Sequence, residues 1–264
     1  MKSLRLPVAV GVGCLLFQSA QATLLFSEAF NYTAASALGG SVNPGNSTAW
    51  IGGNAGLTIG NANLTYSGLS DQGGNELSIA NGAAGSTVNT FANITSGQIY
   101  YSYLLDVTVA DSANAYFTAM NPGTSSPNGS SDAINAYLYS NGRIGLRTAG
   151  ASTVTYATAL TLNTTYLVVM EYDFTAQTAY LFLNPTAGAS QPGATLTLAS
   201  VTAVSAIDNV GFKAQTGSGS YYVDNLLVGT TWADVTPVGV PEPSTLALAG
   251  LGLAGLSLVR RMRK

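Results

Sequence analysis

The chain of 264 residues has no histidine and a single cysteine, Cys14. Cys14 sits in an apolar run, residues 6–17, that follows Lys2 and Arg5 and precedes Ser19-Ala20-Gln21-Ala22. A basic start, a short apolar core and an A-x-A site are the parts of a secretory signal, with Ala20 and Ala22 marking cleavage after Ala22. Residues 1–22 are therefore expected to be a signal peptide, helical while it passes the Sec export machinery. Cys14 leaves with it, and the mature chain then has neither thiol nor imidazole. That excludes a cysteine nucleophile, a Ser-His-Asp triad and a Cys/His zinc site. Without disulfides, an exported fold must rely on its core, and residues 23–236 are long enough to bury one.

Charge is also scarce, at 8% of residues. Within residues 23–236 the only bases are Arg143, Arg147 and Lys213, against eleven carboxylates, a balance of −8. Nucleic acid is disfavoured as a partner, because it demands clustered Arg and Lys. The few Glu, Lys and Arg also leave the body short of soluble helix formers.

What is present is Thr, Ser, Asn, Gly, Ala and Tyr, with β-branched and aromatic residues in short runs cut by Gly, Asn and Pro. That pattern predicts an all-β domain. Strands are expected at residues 24–30, 64–69, 76–80, 87–94, 98–109 and 115–120, then at 134–139, 143–147, 154–159, 166–174, 179–183, 195–198, 207–212 and 221–228. Residues 31–60 are expected to be loop. In 98–109, the strongest strand, Ile99, Tyr101, Tyr103 and Leu105 share the face expected to meet the core. Asn141-Gly142 predicts a type I′ hairpin turn. About a dozen strands with no fixed repeat argue for a two-sheet antiparallel β-sandwich over a solenoid.

Long apolar runs are equally few, and one closes the chain. Val240-Pro241-Glu242-Pro243-Ser244-Thr245 leads into residues 246–259, which carry no charge, and then into Arg260-Arg261-Met262-Arg263-Lys264. Fourteen residues are short for a bilayer core of roughly 17–25 residues. Arg260, Arg261, Arg263 and Lys264 extend the span by snorkelling and place that end in the cytoplasm. A buried core helix is the alternative, and it fits poorly between Pro-Glu-Pro and four terminal cations. These three parts, in this order, resemble the PEP-CTERM sorting signal of Gram-negative bacteria. The resemblance implies recognition by an exosortase, a membrane helix, and a cell that exports polysaccharide. It divides the chain into a signal peptide (1–22), an ectodomain (23–236) and a sorting segment (237–264).

From Gln98 onward the order of pieces resembles the LamG-like, concanavalin-like jelly rolls. Residues 99–106 resemble their long inner strand, 166–173 and 180–185 their central hairpin, and 207–212 and 222–232 their closing strands. The resemblance implies first and last strands that lie close together. It also implies a choice among lectins, adhesive modules and glycosidases, which a fold by itself does not make.

No complete catalytic set is visible. Glu171 and Asp173 share a strand face, as a nucleophile and its helper would. The related Glu-x-Asp-x-x-Glu pattern ends here in Ala176, so the acid/base is missing, and a solvated strand end is the alternative. Asp208-Asn209 and Asp224-Asn225 recur in the closing strands; their oxygens suit Ca²⁺ or, more simply, hydrogen bonds to backbone. No other cofactor is implied. Arg143 and Arg147 share a strand face, suited to an acidic sugar or to solvent. Tyrosine is plentiful, at 14 residues, and stacks on sugar rings or packs across strands. The leading expectation is a non-enzymatic, lectin-like surface or matrix protein associated with exopolysaccharide. A glycan-active hydrolase or lyase using Glu171 and Asp173, and a purely structural coat protein, are the alternatives.

Overall fold

The computed structural model describes residues 24–239, apart from residues 54, 81, 152–154, 201, 216 and 218. Its strands, in chain order, begin with β1 (Leu24–Glu28), β2 (Ile51–Gly52), β3 (Leu57–Ile59), β4 (Leu77–Ile79), β5 (Gly85–Ile94), β6 (Gln98–Val109), β7 (Ala115–Asn121) and β8 (Ile134–Leu138). They continue with β9 (Arg143–Thr148), β10 (Thr155–Ala159), β11 (Thr165–Asp173), β12 (Thr178–Leu183), β13 (Leu196–Ala199), β14 (Ile207–Ala214) and β15 (Ser220–Gly229). A single helical turn, α1 (Trp232–Val235), follows β15, capped by Thr231 and Asp234.

The strands form two antiparallel sheets. The first runs β13-β12-β11-β6-β15-β4-β3, with β1 on the same flank of β15 as β4. The second runs β10-β9-β8-β7-β14-β5-β2. The first and last strands pair directly, Leu24 opposite Gly229 and Glu28 opposite Leu226. This is a β-sandwich. Ile99, Tyr101, Tyr103 and Leu105 of β6 point into the core between the sheets, as their alternation predicts, against Phe117, Ile134, Leu146 and Phe212 from the second sheet.

The other side of β6 is buried as well. Tyr100 and Leu104 join Leu167, Val169, Phe182, Leu227, Trp232 and Val235 in a second apolar cluster on the outer face of the first sheet. Residues 61–70, residues 184–195 and α1 cover that face. Leu64, Tyr66 and Leu69 contribute to the cluster from a loop, not from the strand expected at 64–69. Their apolar spacing serves docking onto a sheet already paired on both flanks. Within the expected loop 31–60, two short strands form, β2 and β3. The loop is fixed by Glu28, whose buried carboxylate accepts hydrogen bonds from the Phe30 amide, the Tyr32 hydroxyl, Asn43 Nδ2 and Trp50 Nε1.

The Asn141-Gly142 turn also differs from expectation. Only Gly142 has a positive φ, +77°, and its amide bonds to the Tyr139 carbonyl at 2.8 Å. This is a type I turn followed by a left-handed glycine, a combination that also matches the twist of the hairpin.

The end of the described chain is fastened down. Gly188 N–H donates to the Thr236 carbonyl at 2.9 Å, Ser70 N–H to the Pro237 carbonyl at 2.8 Å, and Gly239 N–H to the Gly68 carbonyl at 3.1 Å. Val238 forms a β-bridge with Leu69. Among the described residues no helix is long and apolar enough to cross a membrane; the apolar run 246–259 lies outside them.

Candidate functional site

The outer face of the second sheet is built differently from that of the first. Ile134, Ala136 and Leu138 of β8, Ile144 and Leu146 of β9, and Val210, Phe212 and Ala214 of β14 all point to the core. Their alternates point outward: Asn135 and Tyr137, Arg143, Gly145 and Arg147, and Asn209, Gly211 and Lys213. Tyr116 of β7 sits directly opposite Tyr137, and their ring centroids are 5.5 Å apart. Tyr139 lies 6.5 Å beyond Tyr137.

Two of the cations are held by these rings. Lys213 Nζ lies 4.9 Å from the Tyr116 ring centroid and donates to the Tyr116 hydroxyl at 3.0 Å and to the Pro127 carbonyl at 3.3 Å. The Arg147 guanidinium lies 6.0 Å from the Tyr137 ring centroid. It donates to the Tyr137 hydroxyl at 2.9 Å and to the Ala151 carbonyl at 2.8 Å. Cation–ring contacts of this kind hold a side chain in place while leaving its charge uncancelled. Burial raises the Tyr137 hydroxyl above its ordinary pKa, with Arg147 opposing the shift, so the hydroxyl is neutral at physiological pH.

Residues 122–133 arch over one end of this face and enclose a cavity of about 470 Å³ lined by Ser86, Asn121, Ser125, Asn128, Asp132 and Lys213. The arch is pinned by Asp132, which is 1% exposed. Its carboxylate accepts from Asn121 Nδ2 (2.9 Å), Asn135 Nδ2 (2.9 Å), and the amides of Asn128 (2.8 Å) and Gly129 (2.8 Å). Burial raises its pKa and these donors pull it back. At Gly211 a Cβ would lie 2.7 Å from Val88 Cγ1 and 2.8 Å from Pro127 Cδ, so glycine lets the arch sit against the sheet.

Of the residues singled out by sequence, Arg143, Arg147, Asp208 and Asn209 fall on this sheet, and Glu171, Asp173, Asp224 and Asn225 fall on the other. Glu171 is on the outer face of the first sheet, 1% exposed, and accepts from Gln191 Nε2 of the covering loop at 2.7 Å. Burial raises its pKa; the hydrogen bonds from Gln191 and Tyr100 oppose the rise. Asp173 ends β11 and closes the following turn by accepting from the Thr175 and Ala176 amides, each at 2.8 Å. Asp208 and Asn209 lie on β14 in the second sheet. Asp208 accepts from the Gly123 amide, and Asn209 Nδ2 donates to the Gly123 carbonyl at 2.8 Å.

Asp224 and Asn225 lie on β15 in the first sheet, so the two Asp-Asn pairs are not brought together. Asp224 accepts from the Leu64 amide at 2.9 Å and the Asn225 amide at 2.6 Å. Burial first, and repulsion from Glu76 and Asp71 after it, push its carboxyl up to about 8. Asn225 adopts a φ of +50° and donates to the Ser70 carbonyl at 3.1 Å. Among the described residues no group of three or more Asp, Glu, His or Cys converges as a metal site would.

Sequence reasoning paired Arg143 with Arg147 but missed Lys213, Tyr116 and the arch. Lys213 and Tyr116 are 97 residues apart, and only the β7–β14 pairing joins them. The one signal available was that Lys213 is the sole base in the closing strands.

The signal-cleavage residues Ala20 and Ala22, the motif residues 240–245 and the terminal cations Arg260, Arg261, Arg263 and Lys264 lie outside the described residues. Residues 239–264 match the PEP-CTERM protein-sorting motif. The chain carries a PEP-CTERM sorting signal. That signal is the one exosortases recognise, and it marks an exported protein sorted to the membrane or surface of a Gram-negative cell.

No curated protein matches the chain in sequence. Among solved structures, a sialidase aligns at 12% identity and TM-score 0.52, covering 81% of this PEP-CTERM chain and 19% of the sialidase. The globular domain of T. cruzi calreticulin aligns at 11% identity and TM-score 0.49, over 91% of this chain and 100% of that one. Lectin UEA-II in complex with galactose aligns at 12% identity and TM-score 0.42, over 77% and 98%. The sialidase likeness is one of fold, a β-sandwich, and this chain spans 19% of that protein's length.

Proposed function

We propose that the protein is a non-enzymatic surface or matrix component whose sandwich, of the concanavalin-like and LamG-like jelly-roll type, associates with extracellular polysaccharide through the outer face of its second sheet. The observation that carries this reading is the contrast in cover. The outer face of the first sheet is filled with apolar side chains, whereas that of the second carries tyrosines, amides and cations beside a polar cavity. Sugar-binding surfaces combine those features, because a pyranose has an apolar face to stack and hydroxyls to bond.

The position of Glu171 and Asp173 favours binding over hydrolysis. A retaining pair needs two carboxylates about 5 Å apart across an accessible bond, and an inverting pair needs room for water between them. Glu171 lies under residues 184–195, and Asp173 is engaged in a turn. Exosortase, the membrane and exopolysaccharide are the partners this reading needs.

The test is the full chain in mild detergent, applied to a glycan array and, separately, to a polysaccharide panel monitored for new reducing ends. Binding with no new reducing ends supports the proposal. New ends that disappear in Glu171→Gln would replace it with the hydrolase reading. Binding to nothing would leave the coat-protein reading in its place.

A further inference from the structure

We infer that the glycan taken by the second sheet is an acidic polysaccharide, one bearing carboxylates along its length, and that Arg147 and Lys213 hold those carboxylates. This rests on the proposed glycan-binding role of the same face and names its ligand class.

The argument starts from how charge is distributed. The three bases of residues 23–236 lie on two strands of one sheet, Arg143 and Arg147 on β9 and Lys213 on β14. All three alternate with core residues and so face outward. Of the eleven carboxylates, only Asp132 and Asp208 belong to this sheet or its arch; Glu28, Asp106, Glu171, Asp173 and Asp224 are on strands of the other. The sandwich is therefore polarised: all three bases lie on one sheet, and nine of the eleven carboxylates lie off that sheet and its arch. Stacked sheets are about 10 Å apart, so a ligand on the outer face of the second sheet lies nearer to the three bases than to the carboxylates of the first sheet.

Among the described residues neither Arg147 nor Lys213 is hydrogen-bonded to a carboxylate. The hydrogen-bond partners of Arg147 and Lys213 given above are tyrosine hydroxyls and backbone carbonyls, all neutral. Asp132 shares the cavity with Lys213, but four N–H donors from the arch and the sheet already saturate its oxygens. Holding two cations on neutral scaffolding costs solvation that an anionic ligand returns. Between them runs the Tyr116–Tyr137 pair; Tyr137 is buried, and the part-exposed rings of Tyr116 and Tyr139 are what the face offers a polymer beside charge. A small anion would use the charge alone. A carboxylated polysaccharide uses both, and the repetition of its carboxylates lets weak contacts add along one chain.

The experiment measures retention of the full chain, in mild detergent, on immobilised polygalacturonate, on neutral dextran and on anionic phosphatidylglycerol vesicles. Wild type is expected to bind polygalacturonate at least tenfold more tightly than dextran, with an affinity that falls steeply as salt rises. Arg147→Gln with Lys213→Gln removes that preference, while Arg147→Lys with Lys213→Arg keeps most of it at unchanged thermal stability. Equal binding to dextran and polygalacturonate overturns the acidic-ligand inference and leaves the glycan-binding proposal standing. Binding to neither removes both. Vesicle binding as tight as polygalacturonate binding, lost in the same Gln variants, overturns the assignment to polysaccharide in favour of an anionic lipid surface.

Discussion

The two sheets have the same construction between them and opposite construction outside. The first sheet's outer face is Tyr100, Leu104, Val169, Phe182 and Leu227, sealed by α1 and by the loops at 61–70 and 184–195. The second sheet's outer face is Tyr116, Tyr137, Arg143, Arg147, Asn209 and Lys213, with a single arch over one end. A strand repeats every two residues, so the alternates of a core strand must go somewhere. Here one set becomes a second core and the other becomes the polar face to which glycan binding is assigned by proposal. Burial adds stability in proportion to apolar area, which makes the first face a structural element; the second sets part-exposed Tyr116, Arg143, Arg147 and Lys213 beside buried Tyr137 and Asn209.

The largest expected effect tests that division. Trp232 is 9% exposed, packs edge-on at 5.0 Å from Phe182 and 6.2 Å from Tyr100, and donates to the Ala189 carbonyl at 3.0 Å. Trp232→Ala should cost about 3–5 kcal/mol of stability and leave glycan retention unchanged. Tyr116→Ala, on the opposite face, should cost about 1 kcal/mol and reduce retention. Urea denaturation of both variants checks the pair, and equal losses would dissolve the distinction between the faces.

A smaller effect sharpens it through pH. The Asp224 carboxyl, pushed up to about 8 beneath the loop at 61–70, binds its proton more tightly in the folded chain than in the unfolded one, where a carboxyl titrates near about 4. The folded state therefore gains most below pH 4, and that stability is lost progressively as pH rises from about 4 to about 8. The expected loss is about 1–3 kcal/mol, discounted from about 1.4 kcal/mol for each pKa unit. Melting temperatures at pH 5 and pH 8 should differ in wild type and converge in Asp224→Asn.

The smallest effect concerns the hairpin that presents Tyr139 and Arg143. Gly142→Ala forces a side chain into a φ of +77° and should cost about 1 kcal/mol, seen as a lowered melting temperature with the β-rich circular dichroism spectrum retained.

Much of the sandwich was legible because its signals are local. Ile99, Tyr101, Tyr103 and Leu105 alternate over a run long enough to show which side is core, and Asn141-Gly142 located a hairpin even though its turn type differs. Other features depended on distant residues. Tyr100 and Leu104 look the same whether the outer face of β6 is wet or covered, and only residues 61–70, 184–195 and 232–235 decide it. Leu64, Tyr66 and Leu69 read as a strand because docking onto a sheet and lying within one both favour apolar residues at short intervals. The candidate site was the least legible part. Its Lys213–Tyr116 contact spans two strands that become neighbours only once β14 inserts between β7 and β5.

The fastening of residues 236–239 onto Gly68, Ser70 and Gly188 sets a length. Gly239 is the last residue so held, the sorting motif begins at Val240, and the uncharged run begins at Leu246. Six residues, fully extended, reach about 20 Å at ~3.3–3.6 Å each, less than the breadth of a sandwich of this size. The motif therefore lies no farther than that from the point at which Gly239 is held. An exosortase that recognises it works within that reach of the folded body, beside the Val238–Leu69 bridge.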